Sequence, residues 1–242
     1  MKKKILENIK TIFYALIIAL IIRSFFFQPF YIPSSSMEPN LLVGDRLFVS
    51  KYTYGYSRHS LPFSPQIFND RIFYEEPKSG DIIVFKTPTD NRTDYIKRLI
   101  GLPGDSVQII NEKLYLNDKK IKTRLINNSY NIKCGDNFFY ANLYEEILPN
   151  GTKYIAAYRK DGTIKNTDKF IVPENHYFFM GDNRDCSKDS RFLSSVGYVN
   201  FNNFVGKAQI IFFSNNKEIA SFFKIWRWDE SLRFDRFFKK IK

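Results

Sequence analysis

The sequence predicts a mainly β protein, with an antiparallel β-sheet domain, a second, smaller β-rich domain, and one transmembrane helix before them. Three observations indicate this fold class. Short apolar or alternating runs recur after residue 40, helical periodicity is absent until the end of the chain, and a single long apolar run lies near the N-terminus. With 242 residues, of which 44% are hydrophobic, the chain can hold one large domain or two small ones.

The first predicted element is an apolar membrane anchor over residues 11–27. Residues 11–22 carry no charge, but they are fewer than the ~20 residues that a bilayer core requires. Extending the segment through Phe27 includes Arg23, whose long side chain can reach the headgroups. Lysines precede the segment, so the positive-inside rule places residues 1–10 in the cytoplasm and the remainder on the opposite side.

A cleavable signal peptide is the alternative interpretation of this terminus. A cleavage site needs small residues soon after the apolar core, whereas Arg23, Ser24 and three phenylalanines follow it here. No second apolar run of similar length occurs. We therefore expect an uncleaved, single-pass anchor.

Predicted strands make up most of the chain that follows. Residues 45–55 alternate apolar and polar side chains, and residues 80–86 form an apolar, β-branched run typical of a buried strand. Residues 107–121 are typical of a hairpin with its turn near 111–113. Three more strands are predicted in the segments KFIVP, HYFFMGD and KAQIIFF.

Three stretches lack this patterning. Residues 56–80 are predicted to form a long loop, and residues 122–168, rich in Asn and Lys, a peripheral insertion. The C-terminal segment mixes aromatic and basic residues, which either rest in the lipid headgroup region or pack at an ordinary domain edge. Its aromatic residues are Phe222, Phe223, Trp226, Trp228, Phe234, Phe237 and Phe238.

The formal net charge of +12 suits either nucleic acid or a surface that lies against anionic lipid. No clustered nucleic-acid-binding pattern is found, so we expect membrane phospholipid as a partner and no nucleic acid. The two cysteines, Cys134 and Cys186, match no zinc pattern, and their spacing leaves a disulfide open. We expect neither a metal nor a cofactor.

The stretch FYIPSSSMEPNLLVGD places three consecutive serines, Ser34 to Ser36, soon after the apolar run. They form either a turn that leaves the anchor or a segment that contains a nucleophile. A serine attacks a carbonyl only if a base removes its proton. Neither histidine, His59 or His176, lies in an informative setting, so the candidate base is a lysine or a carboxylate.

Lys97 is the lysine whose neighbours favour this role. It lies in DYIKRLIGLPGD, close to Tyr95, Ile96, Leu99 and Ile100. A free lysine titrates near ~10.4, and burial lowers that pKa by up to about 3–5 units. The alternative is an ordinary solvated charge on a strand.

The segment GDNRDCSKDSR, from Gly181 to Arg191, is too polar for a core strand. It is either a surface turn held by Asp–Arg pairs or a loop that supports the site. In the second interpretation, Ser187 hydrogen-bonds the lysine amine, while Asp189 pairs with Arg191 to hold the loop.

Taken in order, FQPFYIPSSSMEPNLLVGD, then GDIIVFK with DYIKRLIGLPGD, then GDNRDCSKDSR resemble segments of bacterial type I signal peptidases. These are membrane-anchored serine proteases that remove signal peptides with a Ser-Lys dyad. The resemblance covers residues 10–54, 80–105 and 174–213, and little of 56–79 or 106–173.

The resemblance implies that Ser36 is the nucleophile and Lys97 the general base. It also implies that the Ser34 hydroxyl, with the Ser36 backbone N–H, stabilises the oxyanion, and that Ser187 orients the lysine. Asp189 and Arg191 would give structural support. The family's substrate pockets are shallow and apolar and accept small residues at −1 and −3. Their expected lining is Phe30, Ile32, Pro33, Met37, Leu41, Val84, Tyr95 and Ile96.

The resemblance further implies a division into a catalytic β domain formed by residues 28–105 and 174–242, with a variable β domain inserted at 106–173. The substrates would be signal peptides of exported preproteins. The protein would lie in the bacterial cytoplasmic (inner) membrane, near the secretion translocon, with its catalytic domain on the periplasmic face.

Three positions depart from the family pattern. Ser35 stands where glycine is usual and would be strained if its backbone required a positive φ. Asn40 replaces a threonine, and Cys186 replaces an asparagine.

The alternative to an enzyme is an anchored β domain that binds ligands or scaffolds the export machinery. In that case Ser34, Ser36 and Lys97 would be ordinary turn and surface residues.

Overall fold

The chain starts with one long helix. In a computed structural model, which describes residues 2–66, 70–135, 137–216, 218–219 and 225–241, α1 covers Lys2–Ile21 and continues as a π-helix over Ile22–Phe26. By length and composition, Lys3–Phe26 is a 24-residue segment able to cross a bilayer. The helix begins before the anchor predicted over residues 11–27, because lysine and glutamate are good helix formers and extend it through the charged terminus.

The body of the molecule is built on one large antiparallel sheet. Its strands follow the order β1-β2-β14-β3-β4-β12-β13, and β15 pairs with β14. Three of these seven pairings, β2-β14, β14-β3 and β4-β12, join strands that are far apart along the chain. The strands are β1 Phe27–Tyr31, β2 Asp45–Ser50, β3 Ile82–Lys86, β4 Asp94–Gly101, β12 His176–Met180, β13 Val199–Asn200, β14 Phe204–Ser214 and β15 Lys239–Lys240.

Residues 106–171 form two smaller antiparallel sheets. One is a four-stranded sheet of β5 Ser106–Ile110, β6 Lys113–Leu116, β7 Lys119–Lys120 and β11 Phe170–Ile171. The other is a three-stranded sheet of β8 Lys122–Cys134, β9 Asn137–Ile147 and β10 Lys153–Arg159.

The mainly antiparallel β fold is confirmed, and a strand forms in each predicted segment, although the segment 45–55 is a strand only to Ser50 and continues as a 3-10 helix over Tyr52–Tyr54. The β5–β6 hairpin turns at Asn111 and Glu112, both with positive φ, as a tight hairpin turn requires. The stretch 122–168 is more regular than the sequence indicated. Its longest strand, β8, is exposed along most of its length, so it carries no alternation of buried and exposed residues to detect.

The smaller sheets share a core with the large sheet. One buried cluster joins Ile100 of β4 and Phe178 of β12 to Val107 of β5 and Tyr154 of β10. Two further clusters lie within the large sheet, and a small one belongs to the β8–β10 sheet. The inserted segment is therefore packed firmly against the sheet that carries Lys97.

The described parts of residues 56–80 form a loop, as predicted, with one short 3-10 helix at Arg58–Ser60 and an isolated bridge between Tyr56 and Ile72.

The C-terminal segment, which contains the four-residue helix α2 (Trp228–Ser231), has two faces. Trp228 and Phe237 pack against Phe213, whereas Trp226, Phe234 and Phe238 remain mostly exposed. Phe222 and Phe223, which the sequence analysis grouped with them, lie outside the described residues. The segment is thus a domain edge on one side and an exposed aromatic surface on the other.

Candidate active site

The three serines lie in the connection between β1 and β2, which is held closed at its base. The Ile32 N–H donates to the Asp45 carbonyl (2.9 Å), and the Gly44 N–H donates to the Ile32 carbonyl (3.0 Å). Inside the connection, the Leu41 N–H donates to the Met37 carbonyl (2.9 Å). Because these apolar side chains are buried, the turn presents Ser36 at a fixed position on the sheet.

The Ser36 hydroxyl meets the Lys97 amine. Lys97 lies on β4 opposite Ile83 of β3, its side chain is 4% exposed, and its Nζ donates to Ser36 Oγ at 2.6 Å and to the Ile96 carbonyl at 3.0 Å. Two residues 61 positions apart are thus brought into direct contact in a buried setting.

Burial lowers the pKa of Lys97 to about 8. The carboxylates of Asp189 and Asp182 act in the opposite direction, and the Arg191 guanidinium lowers the pKa further. At pH 7 about one Lys97 amine in ten is then neutral, against roughly one in 3,000 for a lysine at the ordinary value of 10.5. Lys97 is consequently able to accept a proton near neutral pH.

Ser34 lies beside this pair on the solvent side. Its Oγ is 3.4 Å from Ser36 Oγ, and its side chain is exposed. Ser35 does not have a positive φ, so the strain considered for a serine at this position does not arise. Its backbone carbonyl instead accepts a hydrogen bond from the Asn183 side chain at 3.1 Å.

The loop Gly181–Arg191 packs against the serine turn. Asp189 and Arg191 form the expected pair, with Nε–Oδ1 and Nη2–Oδ2 distances of 2.8 Å. Burial opposes ionisation of Asp189, but Arg191 and the Gly181 N–H outweigh it and hold the pKa of this carboxyl below its ordinary value. A Cβ at Gly181 would come within 2.5 Å of both Ser187 and the Ser36 carbonyl, so glycine is required there.

Ser187 does not make the expected hydrogen bond to the lysine amine. Its side chain is buried beside Gly181, where its hydroxyl interacts with the Asp189 carboxylate and helps to lower the pKa of that carboxyl. Lys97 Nζ instead donates hydrogen bonds to Ser36 Oγ and to the Ile96 carbonyl.

Asn40, Arg98 and Asp182 were missed as site residues. The Asn40 amide donates to Asp182 Oδ2 and to the Ile155 carbonyl, both at 2.7 Å. Arg98 makes a two-pronged contact with the same carboxylate, with both N–O distances at 2.8 Å. Asp182 thus ties the serine turn to β4 and β10. The sequence did contain a signal for this contact. Arg98 lies within a buried strand, and a buried arginine is rarely without a charged partner.

A disulfide joins Cys134 at the end of β8 to Cys186 in the Gly181–Arg191 loop. Next to it, Arg184 is fully buried and pairs with Glu146 of β9, whose carboxylate also accepts the hydroxyls of Tyr154 and Tyr158. The loop behind Ser36 and Lys97 is therefore anchored covalently and electrostatically to the β8–β10 sheet.

Only part of the expected substrate lining reaches the surface. Ile32, Met37, Leu41 and Val84 are at most 1% exposed and belong to the core of the large sheet. They were predicted as pocket residues because apolar character alone does not distinguish a pocket wall from the core beneath it. The others, Phe30, Pro33, Tyr95 and Ile96, are partly or well exposed.

Neither histidine contacts the serine. His59 is buried away from it, where its ring bonds Ser64 and Arg58, and burial lowers its pKa to about 4. Among the described residues, no cluster of three or more His, Cys, Asp or Glu side chains is arranged to hold a metal.

Comparison with known proteins identifies the family of the chain. The family model described as signal peptidase, peptidase S26, matches residues 5–213. A protein named signal peptidase I from Rickettsia typhi is 40% identical, over 99% of this chain and 95% of its own length. A protein of the same name from Rickettsia bellii is 41% identical, over 96% of this chain and 84% of its own length. A crystal structure of a signal peptidase I from Enterococcus faecalis is 28% identical and covers 55% of this chain and 97% of its own, with a TM-score of 0.33.

Proposed function

We propose that this chain, which belongs to the signal peptidase family (peptidase S26), is a membrane-anchored serine endopeptidase that uses a Ser36–Lys97 dyad. Membership of the family makes the protein a peptidase that acts on the signal peptides of preproteins. The dyad, the membrane anchor and the orientation are the proposal. The observation that carries it is the buried 2.6 Å contact between Lys97 Nζ and Ser36 Oγ.

In the proposed mechanism, the neutral Lys97 amine takes the Ser36 proton while Ser36 Oγ forms a bond with the carbonyl carbon of a small residue, whose C=O π electrons move to oxygen and give the oxyanion. The C–N bond then breaks, and the Lys97 ammonium returns the proton to the departing amine of the mature protein. A water molecule attacks the acyl-enzyme and gives a proton to Lys97. Ser36 Oγ leaves and regains a proton from the same amine.

Ser34 and the Ser36 N–H would stabilise the oxyanion. The position of Ser34 supports this role, because its exposed hydroxyl lies next to the nucleophile on the side open to a peptide. A preorganised donor of this kind typically contributes about 3–4 kcal/mol in the transition state.

Ser187 retains a role in this proposal after the first step. Once Ser36 is acylated, Lys97 loses its hydroxyl partner, and the hydroxyl of Ser187, which is buried beside Gly181, would replace it. It would then hold the amine for deacylation. Asp189 and Arg191 support this loop from behind.

The surface residues Phe30, Pro33, Tyr95 and Ile96 would contact the signal peptide. They lie on β1, in the serine turn and on β4, next to the two catalytic side chains. Their apolar character suits a shallow surface for small apolar residues.

The span Lys3–Phe26 would anchor the enzyme in the bacterial cytoplasmic membrane. With lysines at its start, the positive-inside rule places the N-terminus in the cytoplasm and the β body on the outer face, where exported preproteins emerge from the translocon. A non-enzymatic scaffold would instead leave Lys97 as a solvated surface charge, whereas its side chain is 4% exposed.

The decisive experiment is cleavage of a synthetic preprotein by the full chain in detergent, followed by mass spectrometry of the products. Ser36→Ala and Lys97→Ala should each abolish the correct cleavage. Ser35→Ala and Lys153→Ala, which alter a neighbouring serine and an exposed lysine, are the matched controls and should cleave normally. Correct processing by purified Ser36→Ala would refute the dyad.

A further inference from the structure

A cavity of about 580 Å³ lies beside the end of the apolar helix, and neither Ser36 nor Lys97 lines it. Its wall is formed by Arg23 and Gln28 near the helix end, by residues 58–66, and by residues 86–94 of the β3–β4 connection. This volume is in the range of small-molecule binding sites.

The helix end is fixed against this part of the body. The Lys51 N–H donates to the Phe26 carbonyl, and the Tyr56 hydroxyl donates to the Phe25 carbonyl, both at 2.9 Å. A 24-residue helix is about 36 Å long, slightly more than the ~30 Å hydrocarbon core of a bilayer. When the helix spans a membrane, the cavity therefore lies at the level of the lipid headgroups.

The cavity wall carries more positive than negative charge. It contains four cationic side chains and two carboxylates, which are Arg23, Arg58, Lys86, Arg92, Asp90 and Asp94.

The two carboxylates are already engaged. Asp94 pairs with Lys86 at 2.9 Å. Asp90 accepts the Thr87 hydroxyl at 2.6 Å and the Thr93 hydroxyl at 2.5 Å. Within the described residues, Arg23, Arg58 and Arg92 have no carboxylate at ion-pair distance.

This excess of positive charge helps to lower the pKa of two buried groups at the cavity, Lys51 and His59. Burial lowers the pKa of Lys51 to about 7; Asp94 opposes the shift, while Arg23 and Lys86 add to it. Burial lowers the pKa of His59 to about 4, and Arg58 and Lys86 add to that shift. An anion in the cavity would offset this repulsion.

We propose that this cavity binds the phosphate of an anionic phospholipid headgroup. Guanidinium groups form two-pronged hydrogen bonds with phosphate oxygens, and three of them converge here without a protein carboxylate. The inference rests on the membrane-anchored function proposed above, and it gives Arg23, within the apolar span, a bound anion as its partner.

The rim favours a lipid over a free phosphate. Phe25, Phe26 and Phe27 at the end of the span are exposed, and Phe63 on the cavity wall is fully exposed. Aromatic side chains are enriched at the membrane interface, where they contact both headgroups and acyl chains. A headgroup in the cavity would place its acyl chains against these rings.

The test is native mass spectrometry of the full chain in a neutral detergent, titrated with dihexanoyl-phosphatidylglycerol, dihexanoyl-phosphatidylcholine or glycerol 3-phosphate. The phosphatidylglycerol should bind more tightly than the other two. Arg58→Gln with Arg92→Gln should weaken it about thirtyfold, since a basic side chain near an anionic lipid surface contributes about 1 kcal/mol. Lys119→Gln with Lys120→Gln removes the same charge from exposed β7 and should change binding less than twofold.

Three results would overturn the proposal. Equal weakening by both double variants would show diffuse charge attraction, and equal binding of glycerol 3-phosphate would assign the cavity to a soluble phosphate. Unchanged lipid binding by the cavity variant would exclude the cavity itself. If the double variant fails to fold, Arg92→Gln alone replaces it in the test, because Arg92 is exposed. This single variant should weaken phosphatidylglycerol binding about fivefold.

The lipid-site proposal and the peptidase proposal can be refuted independently of each other. Cleavage of a soluble peptide in detergent should be unchanged in the cavity variants. Ser36→Ala should lose cleavage and still bind the lipid.

Discussion

Peptide cleavage should rise with pH along the titration of Lys97. Attack by Ser36 requires the neutral amine, and burial places the pKa of Lys97 at about 8. Below that value, kcat/KM should increase about tenfold per pH unit, and above it the rate should level off. Between pH 6 and pH 9 the neutral fraction rises from about 1% to about 90%, so the expected gain is about ninetyfold.

The assay is the initial rate of cleavage of a synthetic signal-peptide substrate, at concentrations far below KM, from pH 5.5 to 10. Thermal unfolding at each pH controls for loss of the folded enzyme. Lys97→Arg should be inactive throughout, because a guanidinium does not deprotonate in this range. A midpoint near 10, the value for an exposed lysine, would refute the claim that burial prepares Lys97 as a base.

Further predictions concern stability and the oxyanion. Because the folded pKa of Lys97 lies below its unfolded value of 10.5, wild-type stability should rise between pH 8 and pH 10.5. Lys97→Met should then raise the free energy of unfolding by roughly 3 kcal/mol below pH 8 and by much less above pH 10.5, measured by chemical denaturation. Ser34→Ala should lower kcat about 10²–10³-fold with little change in KM or Tm, as steady-state kinetics and calorimetry would show. Asn40→Leu, which removes two partly buried hydrogen bonds, should lower the free energy of unfolding by about 1–3 kcal/mol in the same denaturation assay. Replacing Cys134 and Cys186 together by alanine should lower the free energy of unfolding by about 4 kcal/mol, because the disulfide joins residues 52 positions apart and restricts the unfolded chain. An unchanged denaturation midpoint would show that the disulfide is not formed.

The elements that sequence analysis predicted well are those with a local signature. The run Ile82–Phe85 is apolar on both faces and fully buried, and Asn111 in the β5–β6 turn is a residue type suited to positive φ. The serine turn and Lys97 were identified as candidates from their residue types and neighbours. The structure brings Ser36 and Lys97 into contact, although their catalytic roles remain to be tested.

The errors came from properties that neighbouring residues in the chain do not report. Ile32 and Met37 were expected to line a pocket, but their burial depends on which strands lie beneath the turn. The expected bond from Ser187 to the lysine is absent, because the loop geometry directs Lys97 to Ser36 and to the Ile96 carbonyl.

From the sequence by itself, one could determine the order of the strands along the chain and the apolar span, and the resemblance to signal peptidases pointed to Ser36 and Lys97. The strands and the span depend on composition and periodicity, which act over a few neighbouring residues. The tertiary structure alone decided that Asn40 and Arg98 share Asp182, that Cys134 meets Cys186, and that arginines converge beside the helix end. Each of these contacts depends on the packing of segments that are distant in the chain, and chain order does not specify that packing.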